Sequence, residues 1–111
     1  MLQIDTNQAG PAFILALTGS FDTKTSKQGE DAFGAAMDAG HTKLVVDFVA
    51  LDYISSVGLR ALLHAMKRLK KAGGTLHLCG MNPTVYEVFE ISGFTGIFKI
   101  FPTLAEATAG L

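Results

Sequence analysis

Lys43-Leu44-Val45-Val46-Asp47-Phe48-Val49, followed by Leu51-Asp52-Tyr53-Ile54-Ser55-Ser56-Val57-Gly58-Leu59-Arg60-Ala61-Leu62, decides the fold. The first segment is a β-branched run of the kind found in parallel strands covered on both faces. A short loop then leads into an amphipathic helix that runs to about Ala72. Its apolar positions, Leu59, Leu62, Leu63, Met66 and Leu69, follow the i, i+3, i+4, i+7 rule. Gly73-Gly74 ends it, and Thr75 to Cys79 reads as the next strand. Strand, helix, strand in this order is the unit of a parallel sheet.

The pattern extends in both directions. Upstream, Leu2 to Asn7 alternates apolar and polar residues, Ala9-Gly10-Pro11 marks a turn, and Ala12 to Leu17 is an apolar run ending at Thr18-Gly19. These predict an antiparallel hairpin. Phe21-Asp22-Thr23 offers a helix start. Ala32, Phe33, Ala36 and Met37 keep helical spacing within about Thr25 to Ala39, and Gly40 suits the end. Downstream, Asn82 is a good N-cap with Pro83 at the first helical position, and that helix runs to about Ile91 before Ser92-Gly93. Ile97 to Phe101 reads as a last short strand. Pro102-Thr103 opens a small helix through about Ala109. The order β-β-α-β-α-β-α-β-α predicts an α/β fold. Its sheet is mixed but mostly parallel, of about five strands with about four helices, right-handed crossovers and an N-terminal antiparallel hairpin. With no repeat, linker or low-complexity tract, residues 1–111 read as one domain.

Composition narrows the function. Hydrophobic residues make up 49% and charged residues 17% of the 111, enough for a packed core, and the mean hydropathy of +0.34 points to an apolar contact surface. A formal net charge of −1 argues against broad nucleic-acid binding, which needs a strong positive field. The one cysteine, Cys79, cannot form an internal disulfide, which suits a reducing cytoplasm. The start Met1-Leu-Gln-Ile-Asp has no basic segment followed by an apolar run. No stretch is long enough for membrane insertion.

Enzyme signatures are missing. There is no G-x-S-x-G elbow, GxGxxG, P-loop or HExxH. His41, His64 and His77 are far apart and read as surface or strand histidines rather than metal ligands. Cys79 reads as a small buried hydrophobe. Arg60, Lys67, Arg68, Lys70 and Lys71 leave the apolar face of the long helix. They read either as a solvated face or as an electrostatic guide for an acidic partner. Phe94 and Phe98 read as core. Tyr53 either shields the serine junction or contacts a partner.

That junction is the candidate site. Helix N-termini carry backbone N–H groups without partners, so a hydroxyl at Ser55 or Ser56 can simply cap the helix. A phosphate there would also be electrostatically welcome. The junction follows the carboxyl end of a buried strand, where open α/β sheets place their sites. Gly58 in the first helical turn costs about 0.5–1 kcal/mol relative to Ala, which suggests a close approach to the backbone. Val57 is expected to be exposed.

These residues carry a resemblance. Leu17-Thr18-Gly19-Ser20-Phe21-Asp22, Leu44 to Phe48, Leu51 to Leu59, Lys70 to Gly74 and Val88-Phe89-Glu90-Ile91-Ser92-Gly93-Phe94 together resemble STAS-domain proteins of the anti-sigma factor antagonist type. The resemblance covers nearly the whole chain. It implies a binding protein, not an enzyme. When unphosphorylated, such a protein captures an anti-sigma factor that is also a serine kinase, and so frees a sigma factor. The kinase holds ATP-Mg, and the antagonist needs no cofactor or metal. A PP2C-type phosphatase removes the phosphate. Aligned on Gly58-Leu59, the phosphoacceptor is Ser56, with Ser55 as rival. Ser55 stands where the family often has Asp, and Val57 where it often has Ser, Thr or Ala. Asp22 matches an acidic residue of the neighbouring loop. Asp22, Ser55, Ser56, Val57, Gly58 and Arg60 are the expected partner-binding residues. The rival reading is a STAS-like subunit of a transport complex or signalling scaffold without a phospho-switch. A catalytic role for either serine lacks a recognisable base beside it.

Overall fold

The central strand runs further than its apolar run suggests. In the computed structural model, which describes all residues Met1–Leu111, β3 spans Lys43–Ile54 and no loop separates it from the helix that follows. The other strands are β1 (Leu2–Ala9), β2 (Ala12–Phe21), β4 (Thr75–Cys79) and β5 (Lys99–Phe101). The helices are α1 (Ser26–Asp38), α2 (Ser56–Lys71), α3 (Pro83–Ile91) and α4 (Leu104–Thr108). The five strands form one sheet in the order β1-β2-β3-β4-β5, with β1 antiparallel to β2 and all other pairs parallel. The α/β fold with its N-terminal hairpin is as the sequence predicts.

Four boundaries differ from expectation. β1 runs on to Ala9, which pairs with Ala12 instead of opening the turn. β2 continues past Leu17 to Phe21, because it has a parallel partner in β3 as far as the Phe21–Ile54 pair. β3 absorbs two extra residues on the way. The register steps from Ala16–Asp47 to Thr18–Ala50, and again from Gly19–Leu51 to Ser20–Tyr53. Such bulges bend and twist a strand. At the first, the Val49 amide donates to Asp47 Oδ1 at 3.1 Å instead of to the ladder. Lastly, Phe94–Gly96 forms a 3-10 turn, so β5 is confined to Lys99–Phe101.

Alternation along the strands sorts the core. Leu15, Leu17, Leu44, Val46, Phe48, Leu76 and Leu78 point to one face, where Phe33 and Ala36 of α1, Leu59, Leu62 and Leu69 of α2, and Val85 and Phe89 of α3 cover them. Phe48 and Phe98 meet Phe89 edge-on, with centroids 6.0 and 5.7 Å away. Phe98 is core as expected, and Phe94 is half-buried. Leu63 and Met66 of α2 are only half-buried, while Ala61 and Ala65 are buried. On the other face α4 seats Ala107 against Ala12, Ile14, Val45 and Cys79. His77 Nδ1–H donates to the Ala107 carbonyl at 2.8 Å. Asn82 caps α3 through the Val85 amide at 2.8 Å and donates to the Leu51 carbonyl at 3.1 Å.

Cys79 is fully buried. Its thiol is pushed up from 9.0 to about 12, by burial first and then by the Asp47 carboxylate beside it. Below the ordinary thiol value both folded and unfolded chains keep the proton, so the contribution to stability is complete. As pH rises through that window the unfolded chain loses its proton first, and stability falls. Urea titrations at pH 8 and pH 10 should show a loss of about 1 kcal/mol in the protein that is absent from the same comparison on Cys79→Ala. Equal pH dependence in both would contradict this placement.

Candidate functional site

Two segments meet at the carboxyl edge of the central strands. One is the end of β2 with the loop to α1, and the other is the end of β3 with the first turn of α2. Phe21 joins them. Its carbonyl accepts the Ser55 amide at 3.0 Å. A Cβ built on Gly58 would lie 2.5 Å from that same carbonyl oxygen and 3.0 Å from Ile54 Cγ1. The close approach that Gly58 signals is therefore made by the protein's own β2, not by a partner. The Phe21 ring, fully buried, packs on Gly29 and meets Phe33 edge-on at 6.0 Å. One residue thus fixes α1 and α2 relative to each other at this rim.

The two serines differ sharply. Ser55 is the N-cap of α2. Its backbone is extended (φ −95°, ψ 172°) and its Oγ accepts the Gly58 amide at 3.3 Å. Ser55 is half-buried. Ser56 is the first helical residue, exposed, and its hydroxyl has no protein hydrogen bond. Val57 is half-buried rather than exposed, because it turns back toward the domain from the second helical position. Gly58 is buried. Arg60 is exposed and forms no ion pair.

Asp22 is half-buried and serves its own loop. Its Oδ1 accepts the amides of Lys24 at 3.0 Å and Thr25 at 3.3 Å. Thr25, buried, accepts the Asp22 amide and donates to the Ser20 carbonyl, both at 2.9 Å. This Asx-type turn holds the loop. The Asp22-Thr23-Lys24-Thr25 spacing was the signal for it, and Thr25 is a site-building residue that the sequence reading missed. Asp52 and Tyr53 are exposed on the same rim, where the second bulge adds its residue to β3. Tyr53 is thereby left 48% exposed, a large apolar side chain open to contact at this rim.

Beyond Ser56, the exposed positions of α2 are Arg60, His64, Lys67, Arg68, Lys70 and Lys71. The guanidinium of Arg68 is paired with Asp38 of α1. No group of three or more His, Cys, Asp or Glu residues could hold a metal ion, and no helix is long and apolar enough to cross a membrane. Residues 3–107 match the STAS domain.

The chain belongs to the STAS domain family. Among its relatives, BtrV of Bordetella bronchiseptica, which carries the name "Putative anti-sigma factor antagonist BtrV", is 42% identical over 86% of this chain and 83% of its own length. The anti-sigma F factor antagonist of Paenibacillus polymyxa is 28% identical over 91% of this chain and 85% of its own. Among solved structures, SpoIIAA of Bacillus in its phosphorylated form superposes with a TM-score of 0.71, at 24% identity over 96% of each chain.

Capping and exposure give the serines separable roles. Ser55→Ala should lower unfolding stability by about 1 kcal/mol, while Ser56→Ala should stay within about 0.5 kcal/mol of the parent, both measured by urea denaturation. Gly58→Ala should cost roughly 1–3 kcal/mol despite the better helix propensity of Ala, because the added methyl meets a backbone carbonyl. A neutral Gly58→Ala would mean that the two segments are not clamped.

Proposed function

We propose that this protein is an anti-sigma factor antagonist, controlled by phosphorylation of Ser56. Unphosphorylated, it captures an anti-sigma factor that is also a serine kinase, and so releases a sigma factor. The kinase, carrying its own ATP-Mg, switches the protein off, and a PP2C-type phosphatase restores it. It acts in the cytoplasm as a binding protein rather than an enzyme, without a cofactor of its own. The names of its relatives support the antagonist reading and do not favour a transport-complex subunit.

The observation that carries the switch is the contrast between the two hydroxyls. Ser55 is engaged as a cap, and Ser56 stands free at the rim. Phosphorylation adds about −1.5 to −2 charge near pH 7. On the first residue of α2 the free N–H groups and the helix dipole favour that charge by roughly 0.3–1 kcal/mol, so the domain stays folded. The cost falls on the partner. Asp52 stands just before the acceptor at the end of β3, Asp22 follows Phe21, whose carbonyl holds the Ser55 amide, and Ser55, Val57, Gly58 and Arg60 flank Ser56 along the start of α2. A docked surface that desolvates the phosphate, or that is itself acidic, is repelled. A tenfold loss of affinity needs only about 1.4 kcal/mol.

Incubation with extract of the source cells and ATP, followed by mass spectrometry, should place phosphate on Ser56. Ser56→Ala bait should retain the anti-sigma factor kinase, and Ser56→Asp should bind it at least about tenfold more weakly. Phosphate on Ser55 alone would reassign the acceptor. Recovery of membrane transporter subunits with an unmodified Ser56 would overturn the reading in favour of the transport-complex alternative.

A further inference from the structure

The outer edge of β1 is long, regular and open. The strand pairs with β2 from Leu2–Gly19 to Ala9–Ala12 without a register shift, and nothing pairs with its other side. Sheet proteins ordinarily guard such an edge with Lys, Pro or a bulge. β1, Leu-Gln-Ile-Asp-Thr-Asn-Gln-Ala, has none of these and carries one charge, Asp5.

The direction of each backbone group follows from the ladder. Ser20 N–H donates to the Met1 carbonyl at 2.8 Å, so Met1 faces β2, and with it the odd-numbered residues of the strand. The N–H and C=O groups of Leu2, Ile4, Thr6 and Gln8 therefore face outward. One is already taken, because Gln28 Nε2 of α1 donates to the Leu2 carbonyl at 2.8 Å. The open groups are the Leu2 N–H and both groups of Ile4, Thr6 and Gln8.

We propose that this edge binds a second copy of the same chain, β1 against β1, antiparallel about a two-fold axis at Thr6. In that register Thr6 faces Thr6 of the second copy, and Ile4 faces its Gln8. Each of these pairs exchanges both backbone hydrogen bonds, every open group of Ile4, Thr6 and Gln8 is used, and the Gln28–Leu2 bond survives. Asp5 then lies opposite Asn7, a carboxylate against an amide, on both sides of the axis. Shifting the axis to Asp5 would set carboxylate against carboxylate. Shifting it to Ile4 would need the Leu2 carbonyl that Gln28 occupies. Beside β1, Ile4, Thr6, Phe13, Ala35, Ala39 and His41 line a groove of about 370 Å³. The small side chains of α1 leave this space, and the side chains of the added strand extend along it. The Ser56 rim belongs to β3 and α2, and the paired edge leaves it open.

Sedimentation equilibrium of the full chain, from micromolar to millimolar concentration, tests this. The parent should dimerise. Thr6→Pro should be monomeric at the same concentrations with its far-ultraviolet spectrum unchanged, since the amide it removes faces away from β2. Asn7→Asp should weaken the dimer by roughly three- to tenfold, and Asn7→Lys should tighten it, through the two contacts to Asp5. A parent that is monomeric throughout overturns the proposal. So does a dimer indifferent to all three changes, which would use another surface, such as exposed Ile91 and Ile97.

Discussion

The carbonyl of Phe21 is the point on which this rim depends. It ends β2, holds the Ser55 amide, and lies so close to Gly58 that no side chain fits there. Those contacts tie the first turn of α2 to a strand distant from it in sequence. Without them Ser55 would lose the backbone geometry that lets it cap, and Ser56 would sit on a fraying helix end. The ring of the same residue is buried against α1. Local backbone precision at the surface is thereby anchored in the core.

In the switch we propose, rigidity is what lets a small covalent change act on docking alone. A phosphate on a mobile loop could be absorbed by rearrangement. On a capped helix it keeps its position, and the partner must accommodate it or leave. The cap belongs to Ser55 and the free hydroxyl to Ser56, so modification need not break the bond that starts the helix. The proposed switch thus needs only the free hydroxyl of Ser56 and leaves the cap made by Ser55 in place.

Much of this was legible in the residues. Helical spacing from Leu59 to Leu69 and the Asn82-Pro83 start locate α2 and α3 well. The β-branched run at Lys43 likewise locates β3. Its length was not legible, because two bulges break the period on which strand reading depends, although Asp47 within the apolar run marked the first. Gly58 announced a close approach, but only the fold identifies Phe21 as the neighbour. Asp22 was expected at the docking surface, and the fold adds a structural role that the sequence did not show, since its Oδ1 accepts the amides of Lys24 and Thr25. Long-range backbone contacts of this kind leave a composition bias at one end and no pattern at the other.

The central claim is that a dianion on Ser56 alters the rim and leaves the scaffold intact. Amide nitrogen–proton correlation spectra of the chain with phosphoserine installed at position 56 test it most directly. Shifts confined to residues 20–25 and 52–60, with the Ser55 amide still protected from exchange, are expected. Changes spreading into the core strands around Val46 and Leu78, or loss of protection at Ser55, would contradict it.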